Sequence, residues 1–299
     1  MSAPNIAPRC GYVALIGRPN VGKSTLLNHL LGQKLAITSR KPQTTRQALL
    51  GVDTTPPYQA IYVDTPGIHG HDQRAINKYM VNAATSVIHD VDVLVMVLDR
   101  GQLNAADQLV LEHVQAYSGT RFAVINKVDL LADKRELLPI IDTLRRLDCF
   151  DEIFPVSALR AEGLEALRQA VHAALPEQPH LFPDDQITDQ SQRFLAAEIV
   201  REKLMRGFGD EIPHRTAVVI ERWVESERVV DIAANIFVER AGQKRILIGK
   251  GGAKLKRVGE QARKDIEQLI GGKVMLRLWV KVQPGWTNQV SALQRLGYD

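Results

Sequence analysis

Gly17-Arg-Pro-Asn-Val-Gly-Lys-Ser24 decides how the first half of the chain is read. An apolar run at 12–16 precedes it, and Leu26, Leu27, Leu30 and Leu31 follow at helical spacing. A strand, a glycine-bounded turn and a helix are the context in which GxxxxGK[ST] cradles a phosphate. The glycines let the backbone fold tightly, so that successive N–H groups face one anion, and the helix adds its positive N-terminal end. Gly17, Arg18, Pro19, Asn20, Val21, Gly22, Lys23, Ser24 and Thr25 are therefore the candidate cradle. Lys23 is placed to reach β- and γ-phosphates, and the Ser24 hydroxyl to bind Mg²⁺.

Three more loops carry matching chemistry. Asp64-Thr65-Pro66-Gly67 closes the strand-like run 60–63, with Ile68 next. The Asp64 carboxylate can hold Mg²⁺ through its water shell, and the Gly67 N–H can sense a γ-phosphate. Asn126-Lys127-Val128-Asp129 closes the run 122–126. The Asp129 carboxylate can accept from N1–H and the 2-amino group of guanine, whereas adenine would leave it unpaired. Asn126 and Lys127 would brace that loop and cover the base. Ser157-Ala158, after 153–156, offers a further loop to the base. This set selects GTP over ATP. The polar stretch 39–46 lies between the first helix and the second strand, and Thr44 or Thr45 can complete a Mg²⁺ shell; Thr45 is preferred.

The surrounding pattern gives the architecture. Runs at 49–52 and 60–63 flank Asp53-Thr-Thr-Pro-Pro, a hairpin signature. Helical character over 73–89, 104–117, 133–147 and 163–174 alternates with Val/Ile-rich runs at 91–98, 122–126 and 153–156. Strands spaced by helices predict an α/β domain: a mixed, mostly parallel sheet with helices on both faces and ligands at the strands' C-terminal ends. Pro176, Pro179 and Pro183, with Asp184 and Asp185, mark a break in this pattern. The expected organisation is a nucleotide domain over 1–176, an acidic Pro-containing linker over 177–190 and a second domain over 191–299.

Composition narrows the class. With 45% hydrophobic and 24% charged residues, the chain is neither disordered nor disulfide-stapled. The longest wholly apolar run, 93–98, is far short of the roughly 20 residues of a membrane span. Cys10 and Cys149 lack metal-ligand spacing, and the N-terminus lacks a signal-peptide layout, so a cytosolic chain with reduced thiols is expected. The formal net charge of +4 is unevenly divided. Residues 1–176 carry 18 basic and 17 acidic side chains, 177–190 only four acids, and 191–299 carry 20 basic and 13 acidic. That asymmetry points to a polyanion met by the last third.

The centre of this charge is 240–259, with seven cations and no acid around Ile248-Gly249-Lys250-Gly251-Gly252. The GxxG turn lets a nucleic-acid backbone approach closely, while Lys250, Lys254, Lys256 and Arg257 can meet phosphates. An amphipathic helix at 194–205, strands at 217–224 and 229–238, the helices around GxxG and a strand at 274–282 look like an α+β type II KH domain. No aromatic lies between Phe237 and Trp279, so bases would be read by apolar packing and hydrogen bonds.

The ordered set GRPNVGKS, QTTR, DTPG, NKVD and SA resembles the small-GTPase-like bacterial translation GTPases over about 10–175. Ile68 stands where Ras-like enzymes place a water-orienting glutamine, and it cannot do that work. In this family an Asn like Asn20 is associated with K⁺ near the phosphates, so Lys23, Thr45, Gly67 and Asn20 form the candidate catalytic group. With the KH-like half included, nearly the whole chain resembles the Era-type GTPases. That resemblance implies a monomeric, cytoplasmic, Mg²⁺-dependent GTPase with slow turnover that cycles between GTP and GDP. It further implies binding to the 3′ end of small-subunit ribosomal RNA, a role in 30S maturation and peripheral inner-membrane contact. Two rival readings are a switch acting at membranes or proteins and a passive RNA scaffold that only senses guanine nucleotide.

Overall fold

The computed structural model describes residues 7–68, 74–209, 212 and 215–298. Among these, residues 7–38, 45–68 and 80–189 form one compact unit, and residues 39–44, 74–79 and 190–298 form a second.

The elements of the nucleotide half are β1 (Arg9–Ile16), α1 (Lys23–Leu30), β2 (Leu49–Thr55), β3 (Tyr58–Asp64), α2 (Ala75–Ile88), β4 (Val93–Asp99), α3 (Ala105–Ala116), β5 (Thr120–Asn126), α4 (Leu138–Arg146), β6 (Glu152–Pro155) and α5 (Leu164–Ala174). Their sheet runs β2-β3-β1-β4-β5-β6. β2 is antiparallel to β3 and the remaining pairs are parallel. Ala14, Ile16, Leu94, Met96, Ala123 and Ile125 share one core with Ala84, Val110, Val114 and Ile140 of the helices. The alternate residues Val13, Leu15, Val95, Val97 and Val124 are equally buried. Successive side chains point to opposite faces, so both faces of the sheet are covered, which is why these strands read as unbroken apolar runs. Because β1, β3, β4, β5 and β6 run in parallel, their C-terminal ends share one edge, and the loops after Ile16, Asp64, Asp99, Asn126 and Pro155 gather there.

Two local expectations change. The helix expected over 133–147 is a 3₁₀ turn at Lys134–Leu137 followed by α4, with Pro139 in the first turn of α4. Proline lacks the N–H that a helix interior needs, so the α-helix starts around it. The stretch 177–189 clusters with the first unit. The Gln59 carboxamide oxygen accepts from Leu181 and Phe182 N–H at 2.8 and 3.0 Å, and Val52 N–H donates to Ile187 O at 2.9 Å. The acidic stretch is thus a strap bonded along the sheet.

The second unit contains α6 (Gln192–Gly207), β7 (Thr216–Glu225), β8 (Val230–Val238), α7 (Ala241–Ile248), α8 (Ala253–Ile270), β9 (Val274–Val282) and α9 (Val290–Arg295). β7 and β8 are antiparallel, and β8 pairs in parallel with β9 through the α7–α8 crossover. Val200, Leu204, Ile232, Ile236, Val258, Ala262 and Ile266 fill its core. The α6 helix corrects the amphipathic expectation: Leu195–Ala197 and Ile199–Met205 are buried, with Arg201, Glu202 and Lys203 among them. Glu198 pairs with Arg201, and Glu202 with Lys203 and Arg206, so the buried charges are matched. Beyond β9, Trp286 is fully buried and stacks on Tyr298. No helix among the described residues is long and apolar enough to cross a membrane.

Candidate functional site

The phosphate-type loop connects β1 to α1 under tight steric limits. A Cβ at Gly17 would lie 2.4 Å from Val97 O, and one at Gly22 would lie 2.2 Å from Asn126 Nδ2. Gly22 also sits at φ +106, a left-handed conformation that L side chains rarely adopt. Asn20, at φ +65, is exposed at the rim of the loop. Val21 is buried, and Pro19 packs against Gly67, where a Cβ would lie 2.6 Å from Pro19 N. The Asp-Thr-Pro-Gly loop therefore rests directly on the phosphate-type loop.

Lys23 is buried within the turn, and its ammonium donates to the carbonyls of Gly17 at 2.9 Å and Arg18 at 3.2 Å. Burial pushes it down to about 8, against the pull of the Asp64 carboxylate. Ser24 Oγ donates to Asp64 Oδ2 at 2.6 Å and lies 2.8 Å from Thr45 Oγ1, which in turn donates to the same Oδ2 at 3.2 Å. Asp64 Oδ1 is buried and has no hydrogen-bond partner among the described residues. Burial raises the Asp64 pKa, opposed by Lys23 and by the two hydroxyls. Thr44 is turned elsewhere: its hydroxyl bonds Ser39 Oγ and Lys41 O, both at 2.7 Å. The hydroxyls of Thr44 and Thr45 thus have different partners.

Asn126 ties three loops together. Its Nδ2 donates to Val21 O at 2.8 Å, and its Oδ1 accepts from Lys127 N at 2.7 Å and Ala158 N at 2.9 Å. Lys127 Nζ donates to Asn20 O at 2.7 Å and to Asp99 at 2.8 Å, and Val128 N donates to Val156 O at 3.2 Å. Ser157 Oγ donates to Asp129 Oδ1 at 2.6 Å, leaving the other carboxylate oxygen 4.0 Å from Arg160 Nε. The loops expected to frame a base are thereby linked to one another and to the phosphate-type loop.

Several expected residues turn their side chains away. Arg18 donates to Asp107 at 3.1 Å and lies 3.7 Å from Asp99, so only its backbone faces the loop interior. Thr65 is buried with its hydroxyl on Leu15 O at 2.8 Å, and Pro66 is buried beside it. Ile68 is buried in the sheet core, and its N–H donates to Gly17 O at 3.2 Å. Thr25 stays half-buried in the first turn of α1. Sequence reasoning missed Asp99 and Asp107, which fix Arg18 and Lys127. The signal for Asp99 was its place at the end of β4, matching that of Asp64 on β3.

In the second unit Gly249, Gly251 and Gly252 adopt φ of +72, +57 and +79. A Cβ at Gly251 or Gly252 would meet open space, so backbone conformation, not crowding, calls for glycine there. Ile248 is half-buried at the end of α7, and Lys250, Lys254, Lys256 and Arg257 are exposed. The loop is open to a backbone of opposite charge.

Comparisons with known proteins agree with both halves. A family described as 50S ribosome-binding GTPase matches residues 12–127, and one described as KH domain matches residues 211–287. GTPase Era of Pseudomonas fluorescens strain Pf-5 is 54% identical over 98% of this chain and 97% of its own length. GTPase Era of Pseudomonas entomophila is 52% identical, covering 98% of each. Two crystal structures superpose with TM-scores of 0.94 at 38% identity, over 97% of this chain and 99% of theirs. One is a variant of Aquifex aeolicus Era bound to GDP and AlF₄⁻; the other is Era with MgGDPNP and nucleotides 1506–1542 of 16S ribosomal RNA. With its order of nucleotide loops, its KH half and this near-complete overlap, the chain belongs to the Era family of GTPases.

Proposed function

We propose that the chain is a GTP-driven switch that binds the 3′ end of small-subunit ribosomal RNA and assists maturation of the 30S subunit. The nucleotide half rests above all on one observation: the hydroxyls of Ser24 and Thr45 converge on Asp64 beside a buried carboxylate oxygen that lacks a partner among the described residues. Two hydroxyls and a carboxylate are hard oxygen donors suited to Mg²⁺. When bound, that ion neutralises charge on the β- and γ-phosphate oxygens. The loop N–H groups from Gly17 to Ser24 hold the phosphates, and Lys23 exchanges its two carbonyl partners for phosphate oxygens. The Gly67 N–H, on a loop held against Pro19 by the missing side chain, would bind the γ-phosphate. Asp129 accepts from the guanine edge, held in place by Ser157. Attack of water on the γ-phosphorus breaks its bond to the bridging oxygen and releases GDP and phosphate. Ile68, sealed in the core, does not orient that water.

The RNA half is supported by the exposed basic GxxG loop and by the relative solved with 16S ribosomal RNA nucleotides. The resemblance to this family further implies a monomeric, cytoplasmic chain with peripheral contact to the inner membrane. Filter binding tests the RNA half. Gly252→Asp, which sets a negative charge at the loop and strains its left-handed backbone, should abolish RNA binding and leave GTP binding intact. Unchanged RNA affinity would contradict the reading.

A further inference from the structure

The α8 helix packs against α7 on the GxxG side and also against α6. Between α6 and α8 lies a concavity of about 630 Å³ whose walls include Lys203 and Arg206 from α6 and Lys254, Arg257, Gln261 and Lys264 from α8. On α8 the spacing 254, 257, 261 and 264 puts these four side chains on one helix face. They form a line about 15 Å long at 1.5 Å per residue. Among the described residues of the walls Asp265 is the acidic one, and it is paired with Lys203. Arg257 and Lys264 make no hydrogen bond or ion pair among the described residues. The Lys254 ammonium lies 5.7 Å from the centroid of the nearly buried Phe208 ring, an interaction that holds this cation at the mouth of the cleft. Cations lined up on a helix face repel one another, and a polyanion relieves that repulsion.

We propose that this cleft is a second phosphate-binding track, which carries the RNA strand onward from the GxxG loop along the α6–α8 side of α8. The inference rests on the RNA reading above and specifies its path. A linear row of cations fits successive phosphodiesters, whereas a free anion calls for donors converging on one point. Lys254 and Arg257 belong to both the loop and the track, which makes the two surfaces continuous. A GxxG loop clamps four nucleotides of backbone, so the track engages the nucleotides beyond those four.

The test measures binding of the full chain to two RNAs from the small-subunit 3′ end, a tetranucleotide and one of about a dozen nucleotides. Lys264 and Gln261 are exposed, so Lys264→Glu and Gln261→Lys alter charge without touching the core. Lys264→Glu should weaken binding of the longer RNA and reduce its salt slope by about 0.7 for each phosphate that is no longer neutralised. Gln261→Lys should strengthen binding of that RNA, and the tetranucleotide should respond to neither. If the longer RNA is indifferent to both variants, or both RNAs respond equally, the track is overturned while the GxxG reading stands. If the parent chain binds neither RNA, the RNA reading fails and the track with it.

Discussion

Asn126 Nδ2 donates to the Val21 carbonyl at 2.8 Å, joining the end of β5 to the phosphate-type loop across 105 positions of sequence. The approach is close enough that Gly22 cannot carry a side chain. Asn126→Asp keeps both acceptor bonds but turns an oxygen towards the Val21 carbonyl. Leaving a buried partner unsatisfied costs about 1–3 kcal/mol. A lower melting temperature and weaker GDP binding are expected together, measured by thermal denaturation and calorimetry. Wild-type values for both would show that this bridge is dispensable.

Thr44 and Thr45 are neighbours with different partners. Thr44→Ala removes bonds to Ser39 and Lys41, within its own segment. Thr45→Ala removes a hydroxyl facing Ser24 and Asp64. Titrating Mg²⁺ against GTP hydrolysis should give a raised Mg²⁺ requirement for Thr45→Ala and a near-normal one for Thr44→Ala. The reverse ranking would overturn the choice between them.

Lys23 gives a pH signature. Its folded value of about 8 lies below the ordinary 10.5, because burial disfavours the ammonium. Between those values the unfolded chain binds more protons, so the nucleotide-free fold gains stability as pH rises. Phosphate selects the ammonium form, so GDP affinity should fall over the same window and binding should take up a proton. Calorimetry in two buffers of different ionisation enthalpy, at a pH between about 8 and 10, reads that proton directly. Zero uptake would contradict the assignment of Lys23 to the phosphates.

Asn20 sits at φ +65, a conformation that asparagine tolerates and alanine resists. Asn20→Gly therefore removes the side chain without straining the turn. If K⁺ is held there, hydrolysis should be faster in KCl than in NaCl, and Asn20→Gly should erase the difference. Equal parent rates in the two salts would rule K⁺ out.

Much of this was legible in the sequence because each nucleotide loop has backbone demands that few residues meet. Gly17 and Gly22 announce close approaches, and Asp64 and Asn126 each close a recognisable strand. What stayed hidden depends on partners far away in the chain. Nothing in the sequence near Arg18 shows that its guanidinium belongs to Asp107. The α6 helix misled because Arg201, Glu202 and Lys203 read as a solvated face, yet they are buried with matched charges. The acidic 177–189 stretch looked like a tether because its polarity is plain, whereas its bonds to Val52 and Gln59 are made mostly by backbone, which composition does not record.

Crosslinking the chain to RNA in cells and sequencing what is bound tests the central claim most directly. The account predicts enrichment of the 3′ end of small-subunit ribosomal RNA, lost in Gly252→Asp. Enrichment of a different RNA, or a profile that Gly252→Asp leaves unchanged, would contradict it.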